Sequence, residues 1–536
     1  MTTAIMSIYR SASTIAFYTL ISRVLGFARD ITIAALLGTS ALADTFFVAF
    51  RLPNFFRTLF AEGAFSAAFV PSFTHILTQD GRTKALYFAE KMFAVMLWVL
   101  LIFTIIMQIA MPFVMLGLAP GFAKDPAQFD MAVYLTRITF PYLLFISLVS
   151  LLGGILNSLD KFAAAAAAPI FLNLTLILAP LLLDRYTETP AHSLSWSVAI
   201  AGVVQFAWLY YNCAREGIWI KPRWPTLPPE VKHALKLMIP GIIAVGAVQI
   251  NLWVSTFIAT LVPDTVSTLY YADRINQLPL SIIGVALGTA ILPLLSRQLR
   301  EGQQAEANKT MNQALFMALF FTLPAATGFL GIAYPIMATL FERGAFTAAD
   351  SIASAKPLIA YGFGLPAFVL IKVLVPGFFA AKNTKTPVKI ATSCIAINLP
   401  LTWALVQYFP RIGLNAASGI AFATTITAWL NAGILFILLK RHGRLHLLPE
   451  TRRNSLWALL VAIVMGGAVW AASLGFPDVP KLARPLYLSG LLGAAILLYF
   501  GLGYMLKVYT LTELKGWLKR KRKTKNDTGS HESERK

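Results

Sequence analysis

The chain has 536 residues, a mean hydropathy of +0.68, and only 13% charged residues against 57% hydrophobic ones. Soluble domains carry about 25% charge, and the run 92–119 alone exceeds the ~20 residues that cross a bilayer. The chain is therefore a polytopic helical membrane protein. Its formal net charge of +21 follows from basic residues gathered in connections on one side. With no soluble basic domain, nucleic-acid binding is excluded.

Hydropathy places about fourteen spans, near 12–37, 42–76, 86–118, 130–157, 163–184, 191–213, 232–262, 266–297, 309–341, 352–381, 386–408, 412–440, 454–476 and 485–507. Arg23 and Arg29 interrupt the first apolar run and no small-residue cleavage site follows, so the first span reads as an uncleaved helix. The even-numbered connections hold most of the loop cations, among them Arg82, Lys84, Lys161, Arg215, Lys221 and Arg223. Further along, Arg297, Arg300, Lys382, Lys385, Lys440, Arg441 and Arg444 continue the pattern. The odd-numbered connections hold little beyond Lys124, Arg185, Arg343, Arg411, Lys481 and Arg484. Both termini are therefore expected in the cytoplasm.

A weak internal repeat relates 43–73 to 270–297. Each copy has an acidic residue, then an arginine, Leu-Pro, a Gly/Ala-rich middle and a second proline. Six spans per copy and a second copy starting near residue 226 give parallel repeats, an architecture that builds transporters around a midline cavity. The expected organisation is 1–225 as a first lobe, 226–445 as a second lobe, and 446–507 as two additional helices. Residues 508–536 form a basic cytoplasmic tail, in which Leu511, Leu514, Trp517 and Leu518 among lysines fit an anionic inner leaflet. A plain positive-inside anchor explains the tail equally well.

The charges that fall within spans carry the functional argument, because an Arg or Asp at a helix centre opposes insertion by roughly 2.5–3.5 kcal/mol. The cations are Arg23, Arg29, Arg51, Arg57, Arg274 and Lys372, and the anions are Asp30, Asp44, Glu62 and Asp273. Arg23 and Asp30, seven apart, share a helix face, Arg29 lies about 100° round from Asp30, and Gly26 between them reads as a break. Pro53 removes a backbone bond before Arg57 arrives. The excess is cationic, so the expected visitor is an anion, and guanidinium groups fit phosphate oxygens bidentately. A balanced structural ion-pair network is the competing reading.

Enzyme chemistry is not expected. Asp125 and Asp130 sit in an outer turn, the histidines are scattered, and Cys213 and Cys394 form neither a disulfide framework nor a metal motif. No cofactor or metal is implied.

The stretches SRVLGFARD (22–30), ADTFFVAFRLPNFFRTLFAEGAFSAAFVP (43–71), APGF (119–122), YYADR (270–274), GVALGTAILP (284–293), FERGAF (341–346) and VLVPGFFAAKNTKTPVKIA (373–391) resemble the MurJ (MviN) lipid II flippase family. This family lies within the multidrug/oligosaccharidyl-lipid/polysaccharide exporter superfamily. The resemblance implies an all-α protein of two six-helix lobes in a V plus two C-terminal helices forming a lipid groove. It implies transport of undecaprenyl-diphosphate-linked peptidoglycan precursor across the bacterial inner membrane by alternating access, with the protein acting as a monomer. It further implies that Arg29, Arg57 and Arg274 bind substrate, with Arg23, Asp30, Asp44, Arg51, Glu62, Asp273 and Lys372 as gating or orienting charges. Gln277 departs from members with glutamate there, and the acidic ligands of a sodium site found in some members are not evident. Alternatives are export of another polyprenyl-linked glycan or of drugs, or a non-transporting scaffold for cell-wall synthesis.

Overall fold

A computed structural model describes residues 2–59 and 64–510, and the described residues are nearly all helical. The first half contains α1 (Thr2–Leu37), α2 (Ala41–Arg57), α3 (Ala64–Gln79), α4 (Arg82–Leu118), α5 (Pro126–Thr139), α6 (Tyr142–Ser158), α7 (Phe162–Leu183) and α8 (Pro190–Arg215). The second contains α9 (Pro229–Thr260), α10 (Thr265–Pro279), α11 (Val285–Arg300), α12 (Gln304–Phe341), α13 (Ala348–Ala380), α14 (Lys385–Tyr408) and α15 (Ala416–Arg441). Two further helices follow, α16 (Pro449–Ser473) and α17 (Arg484–Met505). Among the described residues eleven helical runs are long and apolar enough to cross a membrane, with α5–α6 and α10–α11 each counted as one. This agrees with the fourteen crossings read from hydropathy. Gly26 does not break α1, which is helical throughout. A Cβ there would only reach ordinary contact with Asn173 at 3.6 Å, so neither space nor backbone asks for an interruption. Glu62 and the tail from residue 511 lie outside the described residues.

The described residues form two compact units. One gathers those up to Ile275 with Ile336–Tyr361 and Thr392–Thr427. The other gathers Asn276–Pro335, Gly362–Ala391 and those from Ala428 onward. In the first unit, α1 and α8 pack along α7, and α2 along α5. In the second, small residues let α16 approach α12. A Cβ on Gly331 would sit 3.0 Å from the Gly466 carbonyl, and one on Gly466 would sit 2.8 Å from Thr327 Cβ.

Prolines interrupt many of these helices, and each frees the carbonyl four residues earlier, which hydrocarbon cannot satisfy. Side chains of neighbouring helices supply the missing donors. Pro53 frees Ala49, whose carbonyl accepts from Thr139 Oγ1 at 2.8 Å. Pro112 frees Gln108, which accepts from Arg137 Nε at 3.0 Å, while Gln108 Nε2 donates back at 2.8 Å to the Arg137 carbonyl freed by Pro141. Pro357 frees Ala353, which takes Asn415 Nδ2 at 2.7 Å. On α12, Pro324 frees Phe320 for Tyr499 Oη at 2.7 Å, and Pro335 frees Gly331 for Ser473 Oγ at 3.3 Å. The backbone of α12 leaves helical geometry at Ile332, with φ −128°, so its bend has an identifiable cause. The repeat is visible here too: Leu52-Pro53 and Leu278-Pro279 are each followed by π-helical turns, at residues 58–59 and 280–284.

Tyr499→Phe removes the only hydroxyl bonded to the Phe320 carbonyl and should lower stability by about 1–3 kcal/mol, the cost of an unsatisfied buried acceptor. Thermal unfolding of Tyr499→Phe in wild-type and Pro324→Ala backgrounds measures this. Most of the loss should vanish when the alanine restores the helical donor, and an equal loss in both backgrounds would contradict the assignment.

Candidate functional site

Three helices of the first unit converge on one carboxylate. Asp30 of α1 is fully buried. Its Oδ1 accepts from Arg29 Nη2 at 2.8 Å, from Arg29 Nε at 3.1 Å and from Tyr270 Oη at 2.9 Å. Its Oδ2 accepts from Arg274 Nε. Tyr270 and Arg274 stand one turn apart on α10, the spacing that puts two side chains on one helix face. Arg29 also donates through Nη1 to Asn173 Oδ1 at 3.1 Å, and Asn173 Nδ2 is anchored by the Ser22 carbonyl at 2.9 Å. Phe47 stacks on Tyr270 with ring centroids 3.9 Å apart and fixes the ring from α2.

The cluster is not electrically balanced. Two guanidinium groups share one carboxylate, which leaves one positive charge. The Arg29 side chain is 9% exposed and that of Arg274 is 31% exposed, so the surplus is carried at the accessible edge. Removing Asp30 would leave two close cations without a counter-charge, so the carboxylate makes the burial of Arg29 tolerable. A phosphate or diphosphate offers the same lone pairs with more charge and suits guanidinium forks.

A second layer lies toward the 37–41, 260–265 and 341–348 connections. Buried Asp44 accepts at Oδ1 from the Ser267 backbone N–H at 2.7 Å and from Ser267 Oγ at 2.6 Å. It therefore takes a serine, not an arginine. Arg51 donates to Thr256 Oγ1 and interacts electrostatically with Asp273 and Tyr361. The connections themselves are closely apposed. The Ala345 N–H donates to the Ala35 carbonyl at 2.8 Å, Thr39 donates to Asp350, and Thr347 N–H donates to Asp350 Oδ2 at 2.7 Å. Gly38 and Gly344 both have positive φ, at 60° and 56°. A Cβ on Gly38 would meet the Ala345 carbonyl at 2.5 Å, and one on Gly344 would collide with the Ala35 carbonyl. Gly121 is pressed in the same way on the Thr260 carbonyl.

The remaining sequence-derived residues fall elsewhere. Arg57 donates to Asn54 Oδ1 at 3.1 Å and faces a cavity of about 290 Å³ with Tyr142, Asn157 and Gln205. Arg23 is exposed on α1, and Gln277 is exposed on α10. Lys372 is exposed in the second unit, with its stem over Gly284, where a Cβ would sit 2.7 Å from Lys372 Cδ. Glu62 lies outside the described residues. Sequence reasoning missed Asn173, Tyr270, Ser267 and Tyr361. A lone Asn in FLNLTLIL and a tyrosine one turn before Arg274 were the available signals.

Comparison with known proteins follows the same lines. The family described as "Lipid II flippase MurJ" matches residues 33–478. The "Probable lipid II flippase MurJ" of Rhizobium meliloti is 42% identical, covering 96% of this chain and 97% of the relative. The "Lipid II flippase MurJ" of Burkholderia cenocepacia is 34% identical, covering 93% and 97%. A solved structure of "Lipid II flippase MurJ, inward closed conformation" aligns with a TM-score of 0.74 at 25% identity, covering 92% of this chain and 98% of the other. An inward-facing multidrug resistance MATE transporter aligns with a TM-score of 0.60 at 14% identity, covering 80% and 98%, which is a likeness of fold.

One titration can be assigned outside the spans. Partial burial, and then the Asp350 carboxylate, raise the Asp264 carboxyl above its ordinary value. Its ionised form is thus disfavoured in the folded state, so stability falls as pH rises from the unfolded carboxylate range through the raised value. Asp264→Asn should therefore raise the melting temperature at pH 8 and leave it unchanged near pH 3, below both values. Its positive φ of 57° suits asparagine. A lower melting temperature at pH 8 would show that the carboxylate is stabilising.

Proposed function

The chain belongs to the lipid II flippase MurJ family, and from that membership and the cluster on Asp30 we propose that it is a lipid II flippase. It carries undecaprenyl-diphosphate-linked peptidoglycan precursor from the cytoplasmic to the periplasmic leaflet of the bacterial inner membrane by alternating access. The family is one of transporters, and no reaction is assigned to the chain. The protein is a multi-pass membrane protein. With the cation-rich connections inside, both termini are cytoplasmic and the glycine-lined connections 37–41, 260–265 and 341–348 face the periplasm.

The observation that carries the reading is the shared carboxylate. Asp30 holds Arg29 of the first repeat and Arg274 of the second while no substrate is bound. An arriving diphosphate replaces Asp30 as the acceptor, and the surplus charge at the accessible edge supplies the attraction. Arg57 completes the clamp from α2, leaving Asn54 for a phosphate oxygen. Arg51, Asp273, Asp44 and Lys372 orient or gate the site. The close backbone apposition at Gly38, Gly121 and Gly344 supports a closed periplasmic end, which makes the cytoplasmic side the side of loading. The polyprenyl tail stays in lipid along a groove beside α16 and α17, lobes 1–225 and 226–445 rock against each other, and the protein works as a monomer. Cationic drugs are disfavoured by the positive surplus.

Arg29→Ala, Arg57→Ala and Arg274→Ala should each fail to restore growth in cells depleted of the native flippase. Arg274→Lys should rescue partially, because a point cation loses the planar fork. In vesicles loaded with labelled precursor, the same variants should lose leaflet exchange. Full rescue by all three alanine variants would remove the diphosphate clamp, and unchanged leaflet distribution with the wild-type protein would favour a scaffold.

A further inference from the structure

The second unit contains a cavity of about 730 Å³ that the transport reading does not use. It is framed by three connections of the cation-rich end: 300–304 between α11 and α12, 380–385 between α13 and α14, and 441–449 between α15 and α16. Four basic side chains line it, Arg300, Lys382, Arg444 and His446, and no Asp or Glu does. The first turn of α12 also borders it through Gln304, Ala305 and Ala307, and a helix start favours negative charge. Its deeper wall is apolar, formed by Leu295, Met311 and Leu439. Leu294, Phe379 and Ile437 on the same helices are exposed and available to acyl chains.

The loop that carries Arg444 and His446 is built rather than loose. Asn308 Oδ1 accepts from the His446 N–H at 2.8 Å, and Asn312 Oδ1 accepts from the Leu448 N–H at 2.9 Å. Asn312 Nδ2 donates to the His446 carbonyl at 2.9 Å, and Leu445 is fully buried between them. Within this fixed frame Arg444 Nη1 is enclosed and has no hydrogen-bond partner. An enclosed donor left unmade is costly, and a guanidinium wants an anion.

The positive-inside rule alone would leave the two units alike at this end, and they are not. In the first unit Lys161 pairs with Glu216 at 2.9 Å, Arg223 with Glu90 at 3.7 Å and Lys84 with Asp80 at 3.0 Å. In the second, Arg297 takes Glu301 at 2.8 Å outside the cavity. Among the described residues no carboxylate pairs with Lys382 or Arg444, and Glu306 in the first turn of α12 is exposed and does not line the cavity.

We propose that this cavity is a binding site for the phosphodiester headgroup of an anionic phospholipid of the inner leaflet, held by Lys382 and Arg444 with its acyl chains along the exposed faces of α11, α13 and α15. The site is separate from the Asp30 cluster, and its test does not depend on transport. Full-length protein stripped of lipid is titrated with phosphatidylglycerol or phosphatidylcholine, and native mass spectrometry reads the fraction carrying one lipid. Phosphatidylglycerol should bind more tightly than phosphatidylcholine. Its affinity should fall about tenfold in Lys382→Gln/Arg444→Gln, the scale of one lost charge-assisted contact. The charge-conserving Lys382→Arg/Arg444→Lys should restore most of it, and Arg297→Gln should leave it unchanged. A large excess of inorganic phosphate should not displace the lipid. Equal binding of the two lipids, or wild-type affinity in the double Gln variant, would overturn the proposal. So would failure of the charge-conserving variant to bind when its melting temperature is that of wild type, and displacement by inorganic phosphate alone would assign the cavity to a soluble anion.

Discussion

One carboxylate shared by two guanidinium groups is the constraint on which the functional centre rests. Asp30 lies on α1 and Arg274 on α10, in sequence positions that belong to different repeats, and both are held within apolar helices. Neither arginine could be buried there without a counter-charge, and the carboxylate could not be dehydrated without donors. Tyr270 and Asn173 finish the arrangement by taking positions a third ion would otherwise need. The result is a site one charge short of neutral. That imbalance is what a phosphate-bearing headgroup can exploit and a sealed structural network cannot.

Much of this was legible in the chain because charge inside an apolar run is conspicuous. Arg29, Asp30 and Arg274 all stand out against their surroundings, and the excess of cations over anions gave the sign of the ligand. The pairing was less legible. Helical geometry favours Arg23 with Asp30, since residues seven apart share a face, yet Arg23 is exposed and the adjacent Arg29 folds back onto the carboxylate. A long side chain can cross 100° of helix circumference, which face-by-face reasoning ignores. Asn173 and Tyr270 were missed because neutral groups carry no such contrast. Asp44 was expected beside an arginine and instead takes the N–H and hydroxyl of Ser267, donors that composition cannot nominate.

The fold was legible as a series of apolar runs, but not what holds them. The prolines were read as places where backbone bonds are lost. The structure shows where the donors come from: Thr139, Gln108, Arg137, Asn415, Tyr499 and Ser473, each on a neighbouring helix. These are long-range partners, so no local pattern in the sequence points to them. Polar residues that look wasteful in hydrocarbon are there because another helix is bent.

Both bends of α12 are completed by the two last helices, through Ser473 of α16 and Tyr499 of α17. Peeling either helix from α12 strips a donor from a flexed backbone, so the lipid-facing pair serves as a latch on the curvature of its neighbour. A hydrophobic tail wedging in beside them would be felt as a change in the stiffness of α12, a mechanical signal that needs no charged residue to carry it.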